Sequence, residues 1–267
     1  MIRHLALPVA FVLLAAAPVA AQQIVVRPEQ DPHLDRYEAR AIVTGTDMRD
    51  RPKGMAQCLM DVLVKVSGDP SLADDPAAVA LGAEAPGMVL GFDYWDRMTA
   101  YEHHDEQGSY DRPFDLTARF DPAKIDAALH DLGRAPWPDP RPVLLLVAHA
   151  QGRGAPLDVL SDEPRAEDMR AALTDTGQKY GITIALPGQR ERGTWRARGL
   201  PPQAGRVELA GALVFNTAAQ GWVAVWHMDW QGRAYDWDIG GVGFDEAFRA
   251  GVRGAVTILS GHGAPRD

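Results

Sequence analysis

Cysteine is almost absent from this sequence, because Cys58 is the single one among its 267 residues. A lone cysteine excludes an internal disulfide, so packing must stabilise the folded chain. Cys58 lies among Met55, Leu59 and Val62 on the apolar side of a predicted helix. That position favours a buried thiol over a reactive one, since reactive cysteines are exposed and have electropositive neighbours.

Basic residues are also scarce, with 27 lysines and arginines against 36 aspartates and glutamates, which gives a formal net charge of −9. A chain with a net negative charge is poorly suited to bind nucleic acid, because the phosphates attract basic surfaces. It is equally poorly suited to docking on anionic lipid. We therefore expect no nucleic-acid partner.

Long apolar runs are missing except near the amino terminus, at Leu5 to Ala17. Arg3 precedes this run, and Val19 and Ala21 supply the small residues of a cleavage site. The three-part pattern predicts a secretory signal peptide over 1–21, cut after Ala21. The run is shorter than the ~20 residues of a membrane-spanning helix. We therefore expect a periplasmic protein whose mature chain has no transmembrane segment.

Recognisable catalytic motifs are lacking as well. The chain has no G-x-S-x-G turn for a nucleophilic serine, and no glycine-rich phosphate or dinucleotide loop follows a predicted strand. His103 and His104 are adjacent in a predicted hairpin, so their side chains point to opposite faces and cannot chelate one ion. We expect no catalytic residues, no cofactor and no metal site, and the sequence leaves enzyme activity undecided while favouring a non-enzyme.

The first half of the mature chain shows the pattern β-α-α-β-β-α, which we assign to an amino-terminal α/β domain at 22–135. Apolar residues recur at helical spacing before Ser67-Gly68, where glycine favours a helix end. Asp-Pro pairs at 75–76 and 121–122 are typical helix starts. The predicted strands are 37–44, 92–102 and 113–120, and the predicted helices begin near 48–52, 75 and 121 and end near 67, 86 and 133.

Four prolines within 136–142 predict a stiff, extended linker between two domains. Trp137 within it is expected to insert into one of them and fix their angle. The second domain, 143–262, begins with a β-α-β unit whose two strands should be parallel. An antiparallel meander and a carboxy-terminal helix follow, so the fold class is α/β (α+β) with two small domains. The predicted strands are 143–148, 182–186, 206–216, 222–230 and 233–239, and the predicted helices are 163–180 and 244–260.

Three tryptophans of the meander, Trp222, Trp226 and Trp230, lie four residues apart and therefore share one face of a strand. Exposed, they would form an aromatic platform for a sugar or peptide. Alternatively, they form the core beneath the carboxy-terminal helix. The second interpretation is favoured because the alternate face of the strand is more polar and the helix needs a surface to pack on.

A family resemblance is centred on 56–72, where a helix ends in Val-Leu-Val-Lys-Val-Ser-Gly-Asp at 62–69. This segment resembles the bacterial family called domain of unknown function 2066. Phe120-Asp121-Pro122, Trp137 and Arg141-Pro142 extend the likeness, which spans 36 to about 259. Members are exported proteins without an established activity, so the resemblance implies no catalytic residues. The second unit is similar in element order to periplasmic assembly modules of TolB and of flagellar ring proteins.

We therefore predict a periplasmic protein that acts as a non-catalytic binding or scaffolding component of the cell envelope, with an envelope or periplasmic protein as its partner. One alternative is a hydrolase with a site in an interdomain cleft near Trp137. Another is a soluble carrier or chaperone that uses the aromatic meander. A cleft with converging polar groups would favour the enzyme, and a flat apolar patch a protein partner. The candidate binding residues are Lys65, Ser67, Trp137, Trp222, Trp226 and Trp230.

Overall fold

The computed structural model describes residues 35–98, 112–191 and 205–265. These residues belong to one compact unit, which spans 32–267. The predicted signal peptide and the residues His103 and His104 lie outside the described residues. The chain is a mixed α and β protein with six helices and two sheets among its described residues, which confirms the predicted fold class.

The first sheet is antiparallel with the strand order β1-β3-β2. The β-α-α-β-β-α pattern is confirmed, except that the predicted second helix is broken by a 3₁₀ turn into α2 and α3, and β2 begins three residues early. Asp75 and Asp121 cap their helices as expected, each accepting a backbone N–H. The elements are β1 (Glu38–Thr44), α1 (Arg51–Ser67), α2 (Pro76–Ala80), α3 (Ala85–Met88), β2 (Val89–Asp96), β3 (Pro113–Phe120) and α4 (Pro122–Asp131).

Helix α1 packs its apolar side on the first sheet and ends where Gly68 adopts a left-handed conformation with φ of 69°. The Gly68 N–H donates to the carbonyl of Val64, which closes the helix. Cys58 is fully buried on this side, and burial raises the pKa of its thiol to about 12. The expectation of a buried core thiol is therefore confirmed.

The second sheet has the order β5-β4-β7-β8-β9, with β6 also paired to β4. Strand β4 is parallel to both β6 and β7, so the predicted β-α-β unit and meander are both present. The short strand β5 lies between the predicted strand 143–148 and the predicted helix 163–180, in a stretch for which no strand was predicted. The elements are β4 (Val143–Gln151), β5 (Leu157–Asp158), α5 (Glu167–Tyr180), β6 (Ile184–Ala185), β7 (Arg206–Asn216), β8 (Gly221–Trp230), β9 (Arg233–Val242) and α6 (Phe244–Leu259).

Helix α6 covers one face of the β7-β8-β9 meander. Trp226 is fully buried there, with its ring centroid 6.0 Å from that of Phe248, while Trp222 and Trp230 are half-buried. Trp237 lies beside Trp226 on β9 and donates its indole N–H to the carbonyl of Ala250. The core interpretation of the tryptophan face is therefore the one that the structure shows. None of the described helices is long and apolar enough to cross a membrane.

Candidate functional site

The carboxy-terminal end of α1 is the meeting point of several distant segments. The last carbonyls of a helix have no partner within the helix and must find one elsewhere. Here the guanidinium of Arg141 donates to the carbonyls of Lys65 (2.9 Å) and Val66 (3.0 Å), and the backbone N–H of Trp137 donates to Val66 (2.8 Å). The hydroxyl of Ser260 donates to the carbonyl of Gly68 at 2.6 Å. We call this arrangement the α1 junction.

Arg141 is the most connected side chain of the α1 junction. It also donates to the carbonyl of Gly181, at the end of α5, and its guanidinium lies 4.4 Å above the ring of Trp137. Burial lowers the pKa of Arg141 to about 10. Trp137 is itself buried, so the proline-rich segment 136–142 is held against the ends of α1 and α5. Whether the chain divides into two domains at this segment stays a prediction.

Ser67 lies inside the protein. Its hydroxyl donates to the carbonyl of Leu63 at 2.7 Å and accepts the N–H of Asp69 at 3.0 Å. The carboxylate of Asp69 in turn accepts a hydrogen bond from Nε of Arg134 at 2.6 Å. The Ser-Gly-Asp end of the motif thus stabilises the turn after α1. Because Ser67 is buried, it has no surface to offer to a ligand in this conformation.

Lys65 is buried as well, and its ammonium donates to the carbonyl of Glu38 at 2.5 Å. Burial lowers the pKa of Lys65 to about 8, although the nearby Asp61 and Glu38 act in the opposite direction. No carboxylate of the described residues lies within salt-bridge distance of its Nζ. Lys65 differs from Ser67 in one respect, because it forms part of the wall of a cleft.

The cleft lies beside the end of α1 and has a volume of about 510 Å³. Volumes of this size are typical of small-molecule sites. Its wall combines cationic, neutral polar and apolar side chains, and no aspartate or glutamate of the described residues belongs to it. The lining side chains are Arg36, Lys65 and Arg170; Ser161, Thr174, Gln178 and Thr183; and Leu173, Ile182, Ile184 and Leu186.

The sheet face opposite α6 is open to solvent over β7, β8 and β9. Val214 and Val225 are 48% and 50% exposed there. The register places Ala212 beside Val225 and Val214 beside Val223, so the four side chains form one apolar patch. An acidic band continues it along the same face, where Val225 is paired with Asp238 and His227 with Asp236. We call Ala212, Val214, Val223, Val225, His227, Asp229, Asp236 and Asp238 the valine–acid face.

Two histidines on this side of the sheet each contact an aspartate. His149 Nδ1 lies 2.8 Å from the buried carboxylate of Asp158, across the β4–β5 pair. His227 Nδ1 lies 2.8 Å from Asp236. A buried aspartate can orient a histidine as a general base, but no hydrogen bond among the described residues joins His149 to a nucleophile. The described residues also contain no group of three or more metal-type ligands.

The His227–Asp236 pair predicts a pH dependence. The hydrogen bond that the protonated His227 ring donates to Asp236 raises the pKa of His227 above its ordinary value. A raised pKa in the folded state means that the pair stabilises the protein fully below the unfolded pKa of about 6.5, and this stabilisation is lost as pH rises through the folded pKa. Asp236→Asn should therefore lower the free energy of unfolding more at about pH 5.5 than at about pH 9.

This effect should be small, because the ring of His227 is nearly half exposed and solvent screens the pair. Urea unfolding at the two pH values measures it, and Asp238→Asn on the same strand is the matched control. An equal loss of stability at both pH values would show that the charge of His227 does not contribute.

Sequence reasoning missed three of the side chains that matter here: Arg141, Arg170 and His149. Arg141 carried a signal, because it follows Trp137 in the motif of the family resemblance. Arg170 and His149 had no such signal in the sequence. Their contacts are with Leu160, Glu163 and Asp158, in a segment whose position in space the sequence pattern does not predict. The structure brings Lys65, Ser67 and Trp137 together at the α1 junction, whereas Trp222, Trp226 and Trp230 lie beneath α6, in or against the same hydrophobic core.

Two comparisons bear on the identity of the chain. No curated protein matches it. A family model described as a domain of unknown function (DUF8605) matches residues 33–138, which include β1, α1 and Trp137. This part of the chain therefore matches an uncharacterised domain family, though not the domain of unknown function 2066 that the sequence resembles.

Proposed function

We propose that this protein is an exported, non-catalytic binding or scaffolding component of the cell envelope that docks a protein partner on the valine–acid face. The exposure of Val214 and Val225 on one face of the sheet carries the proposal, because contiguous apolar patches on a surface are typical of partner sites. The resemblance to the domain of unknown function 2066, whose members are exported, supports the part of the proposal that concerns export.

The chemistry of the face specifies the partner. Valines and Ala212 form one part of it, and Asp229, Asp236 and Asp238 form the other. A complementary protein surface presents apolar side chains beside lysines or arginines, because opposite charges across an interface favour association and exclude wrong partners. The partner is therefore an envelope protein with a basic and apolar surface.

The signal-peptide pattern of Arg3, the apolar run and Ala21 supports export to the periplasm. Expression of the full chain with a carboxy-terminal tag tests this part. The tagged protein should be recovered from the periplasmic extract with Gln22 as its first residue. Recovery from the cytoplasm with an intact amino terminus would contradict it.

Capture of partners from cross-linked envelope tests the docking surface. Val225→Lys places a like charge against the basic partner and should abolish capture. Val79→Lys is the matched control, because Val79 is 55% exposed on α2, away from this face, and the substitution changes the charge equally. Both variants should keep the circular dichroism spectrum of the wild type. Equal capture by both variants, or no specific partner for the wild type, would contradict the proposal.

A hydrolase is the second candidate, and the His149–Asp158 pair favours it. The side chain of His149 is 41% exposed, so its second ring nitrogen can reach a substrate or a water molecule. Hydrolysis of activated esters that disappears in His149→Ala but persists in His130→Ala would support this candidate. The carrier alternative loses its main support, because Trp226 is buried beneath α6.

A further inference from the structure

We infer that the cleft beside α1 is a second binding site, which takes a small amphipathic anion: a carboxylate head with an apolar tail. This site shares no residue with the valine–acid face, so the inference is independent of the proposed protein partner. It is carried by the cations of the wall, by the absence of acidic side chains among its described lining, and by the apolar residues next to the cations.

Two cations of the cleft wall donate to backbone carbonyls. Arg170 donates through Nη1 to the carbonyls of Leu160, at 3.2 Å, and of Glu163. Lys65 donates to the carbonyl of Glu38. Among the described residues no carboxylate forms a salt bridge with either cation, so both are held by neutral acceptors. Asp61 and Glu38 lie close enough to act on the charge of Lys65, whereas Arg170 is partly buried and has only neutral acceptors among the described residues. A partly buried charge without an ion partner favours an anion.

The geometry of Arg170 suits a carboxylate. Its backbone-bound Nη1 fixes the guanidinium plane. Nε and Nη2, which make no hydrogen bond among the described residues, remain as donors. An arginine fork is the side chain that best matches the two oxygens of a carboxylate. Arg36, which also lines the cleft, already has a counterion in Asp139 at 2.5 Å. The binding charge is therefore assigned to Arg170, and the buried Lys65 adds positive charge to the wall behind it.

The cleft wall also has apolar side chains that could contact a tail. Leu173 of α5, Ile182, Ile184 of β6 and Leu186 also line the cleft, and Ile184 and Leu186 among them are only partly buried. A fully polar anion would leave this surface exposed to water, whereas an apolar tail would remove it from water, which is favourable. The cleft is too small for a folded protein segment and has the volume of a small-molecule site.

Calorimetric titration of the full-length protein tests the inference with three probes. Decanoate has both the head and the tail, decanol has the tail alone, and acetate has the head alone. One equivalent of decanoate should bind, and decanol and acetate should each bind at least about ten-fold more weakly, since a charge-assisted fork contributes about a factor of ten or more.

Three variants locate the site. Arg170→Gln should weaken decanoate binding by about ten-fold, because it removes the charge and the fork. Thr174→Trp, which fills the cleft from α5 and leaves every cation in place, should abolish binding. Arg165→Gln is the matched control, because Arg165 is exposed, pairs with Glu163 and lies outside the lining; it should bind decanoate like the wild type.

The inference is overturned if folded wild-type protein does not bind decanoate, or if decanol binds as tightly as decanoate. It is also overturned if Thr174→Trp keeps the wild-type affinity. If Arg170→Gln fails to fold, the Thr174→Trp variant and the comparison of the three probes still decide the question. Loss of the protein partner in Val225→Lys would affect none of these results, so the two proposals fail separately.

Discussion

Arg141→Ala is expected to lower the free energy of unfolding by about 2–4 kcal/mol, because a buried acceptor left without a donor costs about 1–3 kcal/mol. The guanidinium serves the carbonyls of Lys65, Val66 and Gly181, and it stacks on Trp137. Val66 keeps its bond from the N–H of Trp137. The carbonyls of Lys65 and Gly181 have no such substitute among the described hydrogen bonds.

Burial of the Arg141 charge acts in the opposite direction. The lowered pKa shows that the charged form is partly deprived of water, and alanine removes that cost. The hydrogen bonds should still decide the sign, because removing one member of a buried polar network leaves its partners unpaired. Cation–π stacking contributes about another 0.5–2 kcal/mol.

Urea unfolding monitored by tryptophan fluorescence measures this change. Arg141→Lys keeps the charge but loses the planar fork, so it should recover less than half of the lost stability. Arg165→Ala, at an exposed arginine with one ion partner, should change stability by less than about 0.5 kcal/mol. If Arg141→Ala unfolded at the wild-type midpoint, the α1 junction would not be a stabilising contact.

The periodic elements could be predicted from the sequence. Apolar spacing located α1, the strand run at 143–148 located β4, and alternation located the meander. These patterns depend on residues within one element, so no knowledge of the partner element is required. The same locality limits them. Alternation showed that Trp226 and its neighbours share a face of β8, but the burial of that face depends on α6.

The α1 junction could not be predicted, because its contacts span long distances in sequence. Lys65 and Ser67 are polar residues at a helix end, a position at which exposure and ligand binding are ordinary expectations. The backbone carbonyls of this helix end accept hydrogen bonds from Trp137 and Arg141, about 70 residues later. The motif that suggested a binding surface is largely a structural one.

A very short strand could not be predicted either, because only its contact with another strand defines it. Strand β5 has two residues, and only its pairing with β4 defines it. The His149–Asp158 contact depends on that pairing. Arg170 lies on the predicted helix, yet its role in the cleft depends on β6 and on the loop before α5. The His149–Asp158 pair and the cleft therefore depend on how separate segments pack together, and no local sequence motif indicates either of them.

Gly251→Ala should destabilise the protein by about 2–4 kcal/mol, although alanine is the better helix former by about 1 kcal/mol. Gly251 lies on α6, where an added Cβ would overlap the indole ring of Trp226. From β7, an added Cβ at Gly211 would overlap the same ring. The indole is therefore enclosed between two glycines, and it cannot move away from one without meeting the other.

A double-mutant cycle with Trp226→Leu measures this packing. Trp226→Leu alone leaves a cavity and should cost about 2–4 kcal/mol. The smaller side chain removes the overlap, so Gly251→Ala should cost at least about 1 kcal/mol less in the Trp226→Leu background than in the wild type. Gly87→Ala is the matched control, because Gly87 lies in α3 with nothing within 4 Å of an added Cβ. It should be neutral or slightly stabilising. Strict additivity of Gly251→Ala and Trp226→Leu would mean that the backbone of α6 moves away from the sheet, and that Gly251 does not set the distance between them.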